Sequence, residues 1–145
     1  MQQQHKMSNP FTLRRDFMQR FDMALPASPK YHAEALTMWQ NMLQEEWQEF
    51  MVALQDYQRL QQAGAAEQTR LRAELAAEGV DVLNVLIGLL LSQGLPLEDM
   101  FAAIHAANLA KCVDGKVVRR EDGKILKPAG WQPADKEGVI RASGG

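Results

Sequence analysis

A single cysteine, Cys112, rules out a disulfide within the chain and suits a reducing compartment, so a cytoplasmic location is expected. Charge of one sign is lacking too. Sixteen Lys/Arg against 18 Asp/Glu leave a net charge of −2, which gives no reason to expect a nucleic-acid partner. The longest apolar run, Val85 to Leu91, is far short of the roughly 20 residues that cross a bilayer, so no membrane partner is expected. The opening MQQQHKMSNP has no apolar core of a secretory signal. There is no GxxxxGK[ST] loop, which excludes the P-loop route to nucleotides. One further absence is local: no Lys or Arg occurs from His32 through Gln58.

What is present is a helical pattern. Hydrophobic residues make up 46% of the 145, enough for one core, and a single domain over 1–145 is expected, with loose ends at 1–8 and 136–145. Ser8-Asn9-Pro10 is a helix start, and Phe11 to Met23 reads as a short amphipathic helix stopped by Pro26 and Pro29. Leu36, Trp39, Leu43, Phe50, Leu54 and Tyr57 recur at helical steps and mark a second helix from Tyr31 to Gln62. A third runs from Ala66 to Ser92. Its second half, Val82 to Leu91, is apolar almost all round and needs cover on several sides, which points to a subunit interface. Gln93-Gly94-Leu95-Pro96 closes it, and a fourth helix runs from Leu97 to Lys111. Beyond Lys111 come two Asp-Gly pairs, the second flanked by Val117-Val118-Arg119 and Ile125-Leu126-Lys127, a short hairpin signal. This stretch is basic, with six Lys/Arg against three Asp/Glu from Lys111 to Lys127. The expected fold is all-α, a four-to-five-helix bundle with a short C-terminal β-hairpin, its subunits associating through helices.

The second helix carries QEEWQEF at 44–50. At about 100° per residue, Glu46 and Glu49 share one face and Glu45 lies at its edge. Trp39, Met42, Phe50 and Ala53 fall on the same stripe, so these acids border the buried side, where carboxylates need partners. The third helix offers a second pair, Glu78 and Asp81, at the head of the apolar block. Four or five facing carboxylates repel one another by several kcal/mol at low effective dielectric, and a bound cation removes that repulsion. All-oxygen ligands and the absence of an ExxH motif favour Mg²⁺ or Mn²⁺ over iron or zinc. A solvated acidic helix face is the competing reading of Glu45, Glu46 and Glu49.

Glu45-Glu46-Trp47-Gln48-Glu49, then Glu78-Gly79-Val80-Asp81 after a gap of 28 residues, then Asn108-Leu109-Ala110-Lys111, resemble the all-α nucleoside-triphosphate pyrophosphatase superfamily, which includes MazG-type hydrolases, dimeric dUTPases and phosphoribosyl-ATP pyrophosphohydrolases. The tail DGKVVRREDGKILKPAGWQPAD is similar to the phosphoribosyl-ATP-pyrophosphohydrolase-like branch, and within it to the MazG-like dUTP pyrophosphatases. The likeness spans about residues 30 to 135, and the four parts together are far more specific than EExxE alone. The resemblance implies divalent metal, two or more ions, on Glu46, Glu49, Glu78 and Asp81. It implies that Glu45 holds a further ion or orients and deprotonates the attacking water, and that Asn108 and Lys111 contact phosphates. It implies a homodimer, with a tetramer open, and hydrolysis of a nucleoside triphosphate between the α- and β-phosphates.

Other residues are candidates in their own right. Asn84 follows Asp81 by three and is placed to approach sugar or base, or to be a core amide. Lys116, after the first Asp-Gly turn and near Lys111, is a phosphate candidate. Trp39 and Trp47 read as core residues and His105 as structural. The leading expectation is a Mg²⁺-dependent pyrophosphatase acting on dUTP. Hydrolysis of phosphoribosyl-ATP or of general or oxidised dNTPs stands beside it, and a non-enzymatic helical adaptor is the reading of another class.

Overall fold

The computed structural model describes residues 9–145; the expected loose end at 1–8 lies outside them. Five helices follow in order: α1 Pro10–Arg20, α2 Ala33–Tyr57, α3 Ala65–Ser92, α4 Leu97–Leu109 and α5 Lys136–Ala142. No sheet is present among the described residues.

α1 starts where its capping residues put it. Asn9 Oδ1 accepts the Thr12 N–H at 2.8 Å, and Pro10 fills the first turn, where its missing N–H costs nothing. It stops at Arg20, before the expected Met23, as Asp22 turns left-handed (φ 52°). Its inward residue is the buried Met18, with Phe11 packed alongside. Leu13, Phe17 and Phe21, at four-residue steps, are exposed instead.

α2 and α3 make the frame. Trp39 and Met18 are fully buried, and with Ala35, Val85, Ile87 and Leu91 they form the core. The Trp39 ring packs against Gly88: a Cβ there would fall 2.4 Å from two of the indole carbons. Glycine is therefore required at 88, despite the helix-propensity cost of about 1 kcal/mol, because only it lets α3 approach α2 over the ring. One end of the pair is pinned by Gln93. Its Oε1 accepts the His32 N–H at 2.9 Å, and its Nε2 donates to the His32 carbonyl at 3.1 Å. α3 itself closes in a Schellman turn, with Leu95 N–H on Leu90 O, Gly94 N–H on Leu91 O, and Gly94 at φ +67°. These ties bring the start of α2 against the end of α3 and fix the two as antiparallel neighbours.

α2 ends at Tyr57, short of the expected Gln62. The apolar pattern continues to Leu60, but the chain tightens into a 3₁₀ turn at Leu60–Gln62, with Arg59 N–H on Asp56 O and Gln62 N–H on Arg59 O. α3 begins one residue before its expected start and ends where expected. By length and composition alone α3 is apolar enough to cross a membrane, but Val85, Ile87, Gly88 and Leu91 are buried in the bundle. Val80, Leu83 and Leu86, at three-residue steps, stay exposed.

The C-terminal hairpin does not form as strands. Val113 and Lys116 exchange both backbone hydrogen bonds (3.0 and 2.9 Å) around Asp114 and Gly115 at φ 50° and 73°, the two positive values of a type I′ turn. The second Asp-Gly yields one isolated bridge, Arg119 to Ile125. Val117, Val118, Ile125 and Leu126 are all exposed, so no packed face supports a longer ladder, and a lone two-stranded hairpin is marginal in water. The C-terminal residues 136–142, expected within a loose end, form α5, capped by Asp135 Oδ1 on the Gly138 N–H at 3.0 Å.

Candidate metal site on the α2–α3 seam

The register of the seam follows from two contacts. Trp39 meets Gly88, and Phe50 Cε2 lies against Gly79. Seven residues on from Trp39 is Glu46, and seven back from Gly88 is Asp81. One residue before Phe50 is Glu49, and one before Gly79 is Glu78. The two acidic pairs are thus set opposite each other by the same packing that buries Trp39.

Carboxylate oxygens of Glu46, Glu49 and Glu78 all lie within 4.8 Å of one another. One oxygen of Glu46 and one of Glu78 (Oε2 in each) are buried with no hydrogen-bond partner. Burial raises the Glu46 carboxyl above its ordinary pKa, and the Glu49, Asp81 and Glu78 charges add to the rise. Glu78 is likewise raised, first by burial and then by Glu49, Asp81 and Glu74. Asp81 is exposed and lies outside the tight trio, but near enough to act on both. Glu45 is exposed on α2 and is not part of the trio. Asn84 is half-buried on α3, one turn beyond Asp81.

Next to the trio, a cleft of about 260 Å³ is lined by Glu49, Asp56, Arg70, Glu74 and Glu78 among others. Arg70 is forked onto Glu67 at 2.6 and 3.0 Å, and the Glu74 and Asp56 charges of the cleft also act on it. Glu74 was missed from the sequence, although it precedes Glu78 by four and shares its face. The other residue missed is Arg14 of α1, whose guanidinium is within electrostatic reach of Asp81. No apolar periodicity on α1 signals it.

Asn108 and Lys111 lie elsewhere, near Trp131, and Lys116 is apart from both. The Trp131 indole N–H donates to the Ala107 carbonyl at 2.6 Å and pins the tail onto the end of α4. The Lys111 and Lys127 ammonium groups lie 5.3 and 5.1 Å from the Trp131 ring centre. Asn108, Lys127, Trp131 and Lys136 line a pocket of about 250 Å³. This basic pocket shares no lining residue with the acidic cleft. Lys116 sits on the exposed type I′ turn. Of the tryptophans read as core, Trp39 is fully buried, but Trp47 is 48% exposed, tilted over Phe50 with ring centres 5.7 Å apart. A further pocket of about 510 Å³ lies away from these acids, between α1 and the α3–α4 turn.

Two antiparallel helices face three glutamates into one seam, with two carboxylate oxygens buried and unpaired, and define an all-α scaffold with an acidic site. Residues 14–108 match the family model described as phosphoribosyl-ATP pyrophosphohydrolase, and the chain belongs to that family, within the MazG-like all-α nucleoside-triphosphate pyrophosphohydrolase superfamily. No curated protein matches the chain. The family implies a pyrophosphohydrolase, an enzyme acting on phosphoric anhydrides, of a kind generally dependent on divalent metal. The match takes in α1 from Arg14 and stops before Lys111 and the Trp131 tail.

Proposed function

We propose that this protein is a divalent-metal-dependent nucleoside-triphosphate pyrophosphohydrolase that releases a nucleoside monophosphate and pyrophosphate, with dUTP the foremost substrate. The observation that carries the reading is the pair of buried, unpartnered oxygens of Glu46 and Glu78, within 4.8 Å of a third glutamate. Buried carboxylates without a basic partner are costly, and an all-oxygen donor set suits Mg²⁺ or Mn²⁺. In this reading Glu46, Glu49, Glu78 and Asp81 hold the metal, two or more ions in all.

When bound, the metal neutralises polyphosphate charge and acidifies water. Glu45, on the solvent edge of the motif, accepts the proton of the attacking water as its oxygen bonds to phosphorus. The anhydride bond between the α- and β-phosphates breaks, and its electron pair leaves with pyrophosphate. Asn84 contacts the sugar or base. Asn108, Lys111 and Lys116 bind phosphate oxygens. A second copy of the chain, seated on the exposed Val80-Leu83-Leu86 stripe, gives a cytoplasmic homodimer or tetramer.

Resemblance of the acidic motifs and tail to MazG-like dUTP pyrophosphatases supports dUTP. The description of the matching family supports phosphoribosyl-ATP as the second reading. The test is pyrophosphate release from a panel of dNTPs, oxidised dNTPs and phosphoribosyl-ATP with Mg²⁺. Turnover of one of these, abolished by Glu46→Ala and by Asp81→Ala, is the expected outcome. Equal rates in both variants would remove the site assignment, and no turnover of any nucleotide together with no stabilisation by divalent metal would favour a helical adaptor.

A further inference from the structure

The inward face of α1 carries an arginine where an apolar residue is expected. Arg14 is four residues before the buried Met18 and three after the core-packed Phe11, so it lies on the stripe that meets α3. Asp81 likewise stands four residues before Val85, and Met18 and Val85 share one core cluster. One turn back from that cluster, Arg14 and Asp81 come near each other, close enough for the aspartate charge to act on the guanidinium. They do not form an ion pair within 4.0 Å among the described residues.

Three features distinguish Arg14 from its neighbour Arg15, which forks both terminal nitrogens onto the Glu98 carboxylate. Arg14 Nε is buried without a hydrogen-bond partner. Among the described residues its terminal nitrogens donate no hydrogen bond either. Its guanidinium carbon sits 4.4 Å from the Phe17 ring centre, so the group is held in place by stacking while its donors stay uncommitted. A guanidinium presents N–H donors in a rigid planar fork that matches phosphate oxygens. It stands at the edge of an acidic cluster whose charge a divalent cation would absorb.

We propose that Arg14 is a substrate-contacting residue of this site, donating from α1 to a non-bridging oxygen of the polyphosphate. The proposal rests on the pyrophosphohydrolase reading, and its test separates the two. Inorganic tripolyphosphate with Mg²⁺ is titrated calorimetrically into the full chain and into Arg14→Ala, Arg14→Lys and Arg14→Gln, with Mg²⁺ alone as a parallel titration. The expected result is a roughly 10- to 100-fold weaker tripolyphosphate affinity in Arg14→Ala, partial recovery in Arg14→Lys, and Mg²⁺ affinity within about twofold of the parent. In turnover assays KM should rise by a similar factor, with a smaller change in kcat.

Unchanged tripolyphosphate affinity in Arg14→Ala and Arg14→Gln overturns the assignment. So does a tighter grip on Mg²⁺ with polyphosphate binding intact, which would make Arg14 a counter-charge for Asp81. A parent chain that does not bind tripolyphosphate also overturns it. A parent chain that binds tripolyphosphate through Arg14 but hydrolyses no nucleotide rejects the catalytic reading and leaves Arg14 a polyphosphate ligand. Arg14→Gln keeps much of the stem that packs on Phe17, so a folding defect confined to Arg14→Ala does not blur the result.

Discussion

Two half-buried glutamates of this bundle are treated in opposite ways. Glu98, at the start of α4, receives the forked guanidinium of Arg15, with one arm at 2.8 Å, and its carboxyl is held below the ordinary pKa by that hydrogen bond. Glu46, on the α2–α3 seam, receives no base, and burial together with Glu49 and Asp81 pushes its carboxyl up. At the corner between α1 and α4 acid and base arrive together, beside a pocket of about 510 Å³ that both residues line. The seam is left uncompensated, in a chain that uses arginine forks freely at Glu67, Glu98 and Asp122. The difference marks the seam as the place where carboxylates gather without an ion-paired base, which is what the proposed metal site needs.

The largest effect expected from disturbing this contrast is on the seam. Glu49→Ala or Glu78→Gln should lower pyrophosphate release by about 100-fold or more, since even changes around metal ligands cost 10- to 100-fold, and should remove any rise in melting temperature caused by Mg²⁺. Removing metal from the parent comes next. At a hundredfold excess over its Kd, a single bound ion adds about 2.7 kcal/mol of stability. EDTA should therefore lower the melting temperature by several degrees, and calorimetric scans with and without chelator would read it.

The pH dependence has opposite signs in the two regions. Raised carboxyls at Glu46 and Glu78 mean that the folded, metal-free chain binds more protons than the unfolded one. Their contribution to stability is present at low pH and is lost as pH rises from the ordinary value of 4.5 through the raised folded values. The lowered Glu98 contributes above 4.5, and that contribution is lost as pH falls through its folded value. At neutral pH without metal, Glu46→Gln should therefore melt slightly higher than the parent, although it should bind metal less well. The smallest effect is at the corner. Glu98→Gln should destabilise by about 0.5–1 kcal/mol, because the pair is partly solvent-screened, with turnover unchanged. A Glu98→Gln variant that lost activity, or a Glu46→Gln variant less stable than the parent without metal, would break the contrast.

Much of the seam is legible from sequence because helical periodicity fixes which residues share a face. Glu46, Glu49 and Glu78 were placed by the wheel, and the register that joins them comes from Trp39 on Gly88, a packing detail that periodicity does not carry. α1 was legible as a helix but not in orientation. Its apolar residues Leu13, Phe17 and Phe21 face outward, while Arg14 and Arg15 reach inward to Asp81 and Glu98. An amphipathic reading assigns the apolar side to the core and has no term for a half-buried arginine on the inward face. The Asp-Gly pairs predicted turns, and one is a true I′ turn, but the strands they would join have nothing to pack on. Trp47 was read as packing, and in a single chain it is half-exposed beside the acids, a consequence of tertiary placement that a window of sequence cannot reveal.

The claim that the seam holds a divalent cation is tested most directly by titrating Mn²⁺ or Mg²⁺ into the metal-free chain at neutral pH and following heat and melting temperature together. Saturable binding that raises the melting temperature in the parent, and is lost in Glu46→Gln and Glu78→Gln, is the predicted result. Identical melting with and without metal, and no saturable heat, would contradict it.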